Sequence, residues 1–251
     1  MGVVLGWDLV RTSDLYRMVL SDLGFDLDLE WEASRMACLV ARSIGVRDPL
    51  DVIHEIKSVV AEKRVYVVGA GPSALKSYMR IENGSCIFCA DGACSLLMHL
   101  GDVIAISVTD LDGGIEPAEL VFDHGGYIVI QIHGDNYRSI PLIMDHLRRW
   151  RDRVILTTQV HYQCSGLTMM IPGFTDGDRA YVLAKALGAS EITLIGMDLD
   201  SEFSTYLSKN IYGENTPATI SKIRKLRWGR RIISGLYLNY VTTESPGTLG
   251  L

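Results

Sequence analysis

Residues 103–114 read VIAISVTDLDGG, an apolar, β-branched run that delivers two carboxylates, Asp110 and Asp112, around Leu111 and then two glycines. Like charges held so close repel and desolvate one another, which costs stability unless something positive sits between them. On an extended segment, residues two apart point the same way with Cα atoms about 6.5–7 Å apart. The pair is therefore expected to bracket one hard cation. Mg2+ keeps several waters and is held by one or two carboxylates plus substrate phosphate oxygens. Phosphoryl transfer needs such an ion to neutralise charge on the moving group, whereas hydride transfer has no use for it. Asp110 and Asp112 are read as catalytic metal ligands. The competing reading is a solvated turn with a capping aspartate and glycines for backbone freedom.

Other residues with chemical potential fall at similar places. Gly69-Ala70-Gly71-Pro72-Ser73-Ala74 follows an apolar run and opens a helical one, so its backbone amides are expected to cradle a phosphate. With Asp91 about twenty residues on, it also fits a dinucleotide fingerprint, or simply a tight turn. His133-Gly134-Asp135-Asn136 brings a further carboxylate, Asp135, and an ambiguous histidine. In GFTDGDRA, residues 173–180, Asp176 and Asp178 fit a helix cap and first-turn acids as well as a site, and Arg179 is a candidate for meeting a phosphate. Lys222 and Lys225 stand out in the basic run 221–231. Three apart, they share a helix face and reach toward a triphosphate tail. A solvated basic face accounts for the rest of that run.

The elements that position these residues follow from periodicity. Residues 1–62 carry apolar side chains at three- and four-residue spacing and read as a helical region, with Ser13 and Asp51 as caps or first-turn acids. No chemistry concentrates there; its role is packing or one wall of a cleft. From residue 63 to 240 six short apolar runs, RVYVVGA, SCIFCAD, VIAISVTD, YIVIQIH, RVILTTQ and EITLIGMD, alternate with helical segments near 72–82, 92–100, 139–149 and 176–188. That pattern predicts a Rossmann-like, doubly wound α/β domain with a mostly parallel sheet. Ligands bind beyond the carboxyl ends of such strands, where the polar residues cluster. Residues 241–251 read as a flexible tail.

The chain has 251 residues, 48% of them hydrophobic and 22% charged, with a formal net charge of −6. That balance supports a packed core and argues against sequence-independent nucleic-acid binding. No uncharged apolar run is long enough to span a bilayer and the N-terminus lacks a secretion signal. Five cysteines without a framework spacing suggest a cytoplasmic protein with reduced thiols. Cys86-Ile-Phe-Cys89 fits a buried strand better than a metal or redox pair.

Taken in order and spacing, VVGAGPSA, ADGA, TDLDGG, HGDN, TTQ and GFTDGDRA resemble the archaeal 6-hydroxymethyl-7,8-dihydropterin pyrophosphokinases, a group related to thiamine pyrophosphokinases. The resemblance covers residues 64 to about 235, and LGFDLD in the N-terminal region also fits. It implies Mg2+-dependent transfer of diphosphate from ATP to a pterin hydroxymethyl group, with release of AMP. By that likeness Asp91, Asp110 and Asp112 attend the nucleotide and metal, with Asp135 as a further catalytic acid. Gly69, Gly71, Pro72, Ser73, Lys222 and Lys225 are assigned to the nucleotide. His133, Asn136, Thr158, Gln159 and Asp178 are assigned to the pterin by position. Implied partners are small molecules only, with a homo-oligomer possible. Three alternatives stay open: a thiamine-type pyrophosphokinase, a sugar-nucleotide glycosyltransferase using Asp-x-Asp, and a non-catalytic nucleotide-binding module.

Overall fold

The structure is a computed structural model that describes residues 3–4, 7–162, 164–204 and 216–235. The tail expected at 241–251 lies outside the described residues. A two-residue pairing of β1 (Val3–Val4) with β2 (Trp7–Asp8) precedes three helices: α1 (Leu9–Leu23), α2 (Leu27–Ile44) and α3 (Pro49–Val60). Ser13 lies inside α1 rather than at its start. Asp26 and Asp48 cap α2 and α3, accepting from Asp28 N and Leu50 N, and Asp51 is a first-turn acid. Gly45, at φ 62°, closes α2 in the left-handed conformation that glycine adopts without cost.

All six expected strands form: β3 (Arg64–Val68), β4 (Cys86–Ala90), β5 (Ile104–Thr109), β6 (Tyr127–Ile132), β7 (Val154–Thr158) and, at the far end of the chain, β8 (Glu191–Ile195). Every pairing between them is parallel, in the order β7-β6-β5-β4-β3-β8. Strands β4 and β7 are buried at all five positions, as a sheet covered on both faces requires. On one face Val65, Val67, Phe88, Ile106 and Val108 pack with Leu15 and Val19 of α1 and Ile53 and Ile56 of α3. The other face divides between two clusters, one built on Ile128, Ile130 and Ile132, the other on Tyr66, Val68 and Ile87.

The crossovers are shorter than their periodicity suggests. The first is α4 (Ala74–Ser77) with a 3-10 turn over Tyr78–Arg80, and the second is a 3-10 run over Asp91–His99. Helix α5 (Glu116–Asp123), which the sequence reading did not anticipate, follows β5. A 3-10 turn (Ile140–Ile143) leads into α6 (Met144–Trp150), and α7 (Asp176–Ala186) precedes β8. A short pairing of β9 (Phe203–Ser204) with β10 (Thr216–Pro217) comes before α8 (Ile220–Ile233).

Strands β3 to β7 step outward in one direction, and β8 then returns to pair with β3. The chain thus reverses direction between β3 and β8, the kind of crevice where open α/β sheets bind ligands. Nothing among the described residues forms a helix long and apolar enough to cross a membrane.

The cysteines depart from the expected reduced state. Cys38 on α2 is disulfide-bonded to Cys164, 126 residues away, and Cys89 is bonded to Cys94. Spacing does not reveal these pairs because the fold brings them together. Cys86 and Cys89, three apart on a strand, point to opposite faces and do not meet. Cys86 remains a buried thiol, its pKa pushed up to about 12 by burial.

Candidate active site

A cavity of about 350 Å³ opens at the carboxyl edge of the sheet, within the range of small-molecule sites. Loops after all six strands contribute to its wall, together with the start of α7, the inner face of α8 and Leu20, Phe25 and Glu30 from the N-terminal helices. The expected convergence of strand ends is therefore present, and the helical region forms one wall.

Asp91, Asp110 and Asp176 each bring a carboxylate oxygen to within 4.8 Å of the others. Asp112 stands outside this group. The sequence argument took 110–112 as extended, but Leu111 has φ 66° and Asp112 N donates to Asp110 Oδ1 (2.9 Å), so the two aspartates sit on a tight turn. Asp112 still lines the cavity, on its exposed side. The glycines have separate reasons. A Cβ on Gly113 would overlap the Asp91 carboxylate, and Gly114 has φ 97°. Asp91 is thus brought in from β4 through a notch cut by Gly113, where its Oδ1 accepts from Thr109 Oγ1 (2.7 Å).

The electrostatics of the trio are those of anions short of a counter-charge. Burial, and then the Asp110 charge, push Asp91 up to about 7. Desolvation together with Asp110 and Asp91 raises Asp176 well above the usual carboxylate range, against the pull of Arg179 and Lys222. Desolvation also acts to raise Asp110, but the His133 hydrogen bond and charge, the Asp112 amide and Lys225 outweigh it and hold it low. Three oxygen donors in which two resist ionisation suit a hard divalent cation, which favours the charged form of each.

The glycine turn after β3 works differently from the expected phosphate cradle. The amides of Gly69 and Gly71 donate to Ile195 O and Gly196 O (2.8 Å each), and Ser73 N donates to Asp198 Oδ2 (2.7 Å). A Cβ on Gly69 would stand 2.6 Å from Gly196 O, and one on Gly71 would overlap Asp198. The glycines let two loops close across the crevice between β3 and β8. Helix α4, at four residues, is too short to offer a dipole. Gly69, Gly71 and Pro72 line the cavity, but their turn is occupied with holding β3 to β8.

Several other assignments resolve into supporting roles. Asp135 is exposed and off the cavity wall; its amide donates to His133 Nδ1 (3.2 Å). His133 Nε2 lies 3.4 Å from Asp110 Oδ2, so both ring nitrogens are engaged and the imidazole orients Asp110. Asn136 Nδ2 donates to Asp110 O and Gln131 O (2.8 Å each), bracing the turn. Thr158 donates to Val160 O (2.9 Å) and shapes the following loop. Thr175 and Asp178 form a capping box on α7, which explains why Asp178 is fully buried and reserved for the backbone. Arg179 is fully buried too, donating to Tyr16 Oη and Gly173 O (3.1 Å each) rather than facing a phosphate.

The T-x-x-D box carries the signal that sequence reasoning passed over: with Asp178 as Thr175's partner, Asp176 is released to face the cavity. Lys222 and Lys225 line the same cavity, where Lys222 acts on the Asp176 charge and Lys225 on that of Asp110. Lys225 Nζ also lies 5.1 Å from the Phe25 ring centroid. Glu30 and Gln159 are buried in the lining of the same cavity, and Glu30 Oε2 and Gln159 Oε1 meet no hydrogen-bond donor among the described residues. Burial raises the Glu30 pKa, partly opposed by the Gly134 amide that donates to its Oε1 (3.1 Å).

Fold and site together define a Rossmann-like α/β protein with an acidic, lysine-faced cleft at its strand ends. The particular family follows from comparison. A family model described as 6-hydroxymethylpterin diphosphokinase MptE-like matches residues 44–202, and the chain belongs to that family. A 6-hydroxymethyl-7,8-dihydropterin pyrophosphokinase of Pyrococcus furiosus is 32% identical over 226 residues, covering 89% of this chain and 92% of that protein. Proteins of the same name from Methanothermobacter thermautotrophicus (31% over 229 residues, 89% and 93% covered) and Methanocaldococcus jannaschii (29% over 238 residues, 91% and 95% covered) are similar too.

Proposed function

We propose that this protein is a 6-hydroxymethyl-7,8-dihydropterin diphosphokinase that transfers the β,γ-diphosphate of ATP to the hydroxymethyl oxygen of the reduced pterin and releases AMP. The observation that carries this reading is the trio Asp91, Asp110 and Asp176 sharing the lining of one cavity with Lys222 and Lys225, in a chain of the diphosphokinase family.

Asp91, Asp110 and Asp176 would hold Mg2+, whose chemistry is to neutralise charge on the moving phosphoryl oxygens. Lys222 and Lys225 draw the polyphosphate into the same cavity, as compact cations on long stems. His133, tied to Asp110 and to the Asp135 amide, fixes the carboxylate's direction. The pterin hydroxyl oxygen attacks the β-phosphorus, a new C–O–P bond forms, and the bond from that phosphorus to the α,β-bridging oxygen breaks, leaving that oxygen on AMP. A loose transition state asks little of a base, so the hydroxyl proton passes late to solvent water and positioning does most of the catalysis.

Mass spectrometry of the products from ATP, Mg2+ and the reduced pterin alcohol tests this directly. The expected products are the pterin diphosphate and AMP in equal amounts. Transfer to thiamine in preference to the pterin, or release of a nucleoside diphosphate, rejects the assignment.

A further inference from the structure

The geometry points to Glu30 and Gln159 as the acceptor pair that recognises the hydrogen-bond-donor edge of the heterocycle, the adjacent 2-amino and N3–H groups of the pterin. The assignment deepens the functional reading above and rests on it.

Glu30 is 4% exposed and Gln159 5% exposed, yet both line the cavity. Each carries one buried side-chain oxygen, Glu30 Oε2 and Gln159 Oε1, with no donor among the described residues. A buried acceptor left unmatched costs free energy, so two among the residues lining one cavity are unlike ordinary packing and suit a ligand that brings donors. A 2-amino-4-oxo pyrimidine ring presents two parallel N–H groups side by side, donors that two acceptor oxygens from different side chains can share.

The fold holds these two residues on purpose-built neighbours. Glu30, Ser34 and Cys38 recur every four residues on α2 and form one stripe. Ser34 Oγ donates to Val160 O (3.3 Å), and Cys38 is bonded to Cys164. The stripe is thereby laid along the segment that follows β7, with Glu30 at its cavity end. Gly134 N donates to Glu30 Oε1 (3.1 Å), which fixes the carboxylate and leaves Oε2 for the ligand. The apolar neighbours Leu20, Phe25 and Phe174 suit the flat faces of the ring.

Calorimetry with two acceptors tests the assignment: 6-hydroxymethyl-7,8-dihydropterin and its analogue lacking the 2-amino group. The wild-type protein should prefer the pterin by about tenfold to a hundredfold, the range expected when a buried acceptor is left without its donor. In Glu30→Gln the Gly134 amide retains the side-chain oxygen, so an NH2 group faces the pterin's own donors. The preference should then vanish or invert while ATP affinity stays unchanged. If Glu30→Gln keeps the wild-type preference, the Glu30 assignment is overturned with the functional reading intact. A wild-type protein that binds neither acceptor overturns that reading itself. Should Glu30→Gln fail to fold, Gln159→Leu carries the test: pterin affinity should fall about tenfold with ATP affinity kept, and unchanged pterin affinity overturns the pair.

Discussion

Leu111 adopts φ 66°, and this one left-handed residue separates Asp112 from the carboxylates that converge on Asp110. Two aspartates one residue apart on a turn do not present their side chains as they would on a strand, so D-x-D alone does not define a ligand pair. Asp176 supplies the third oxygen instead, from the first turn of α7, 66 positions from Asp110 by the numbering. The contrast is measurable. Asp176→Asn should lower turnover by roughly a hundredfold or more, as removal of a group holding a catalytic metal does. Asp112→Asn should stay within about tenfold of wild type. Steady-state AMP release at saturating ATP compares the two, and equal losses would restore Asp112 to the trio. Asp91 and Asp110 were legible as site residues because each directly follows an apolar strand. Asp176 was obscured because an acid in the first turn of a helix is also what the helix dipole favours.

At the level of elements, the strands announced themselves. Runs apolar at nearly every position leave little choice but a parallel sheet covered on both faces, and all six form where expected. The connecting pieces were harder to read. Segment 91–99 winds as a 3-10 run, and α5 begins with Glu116-Pro117, a proline start that is compatible with a helix but announces a turn equally well. Helix α2 hides its function in a stripe of small residues: Glu30 is the charged member of a buried face otherwise made of alanines, Ser34, Cys38 and aliphatics. The Cys38–Cys164 bond pins that helix to the loop after β7. A loop of 126 residues would contribute up to about 5 kcal/mol in the chain-entropy account, so reduction should lower the thermal midpoint clearly. It should also weaken pterin binding more than ATP binding. Oxidised and reduced samples that melt together would remove the bond from the stability of the fold.

Across the whole molecule, the crowding of the trio sets a dependence on pH. Asp91 titrates near 7 in the folded state, because of burial and the Asp110 charge, against about 3.9 in an unfolded chain. Folding therefore takes up a proton between about pH 4 and pH 7. This contribution is complete below the lower value and is lost as pH rises through the upper one. Asp176 acts in the same direction, and Asp110, held low, in the opposite one. Melting without divalent ions should show stability falling across that window by up to a few kcal/mol. Asp91→Asn, which keeps an oxygen for Thr109, should flatten the fall, and added Mg2+ should reverse it. A profile unchanged by Asp91→Asn would place the pH dependence elsewhere.

The return of β8 to the side of β3 also bears on how the molecule is born. On a ribosome, β3 emerges more than a hundred residues before the strand that shields its open flank, and the cleft lacks two cationic side chains until α8 has been made. Until then that flank is an unpaired strand edge, the surface on which nascent chains stick to one another. Translation halted before β8 should leave a product prone to clumping and incapable of chemistry, although five of the sheet's six strands would already be in place.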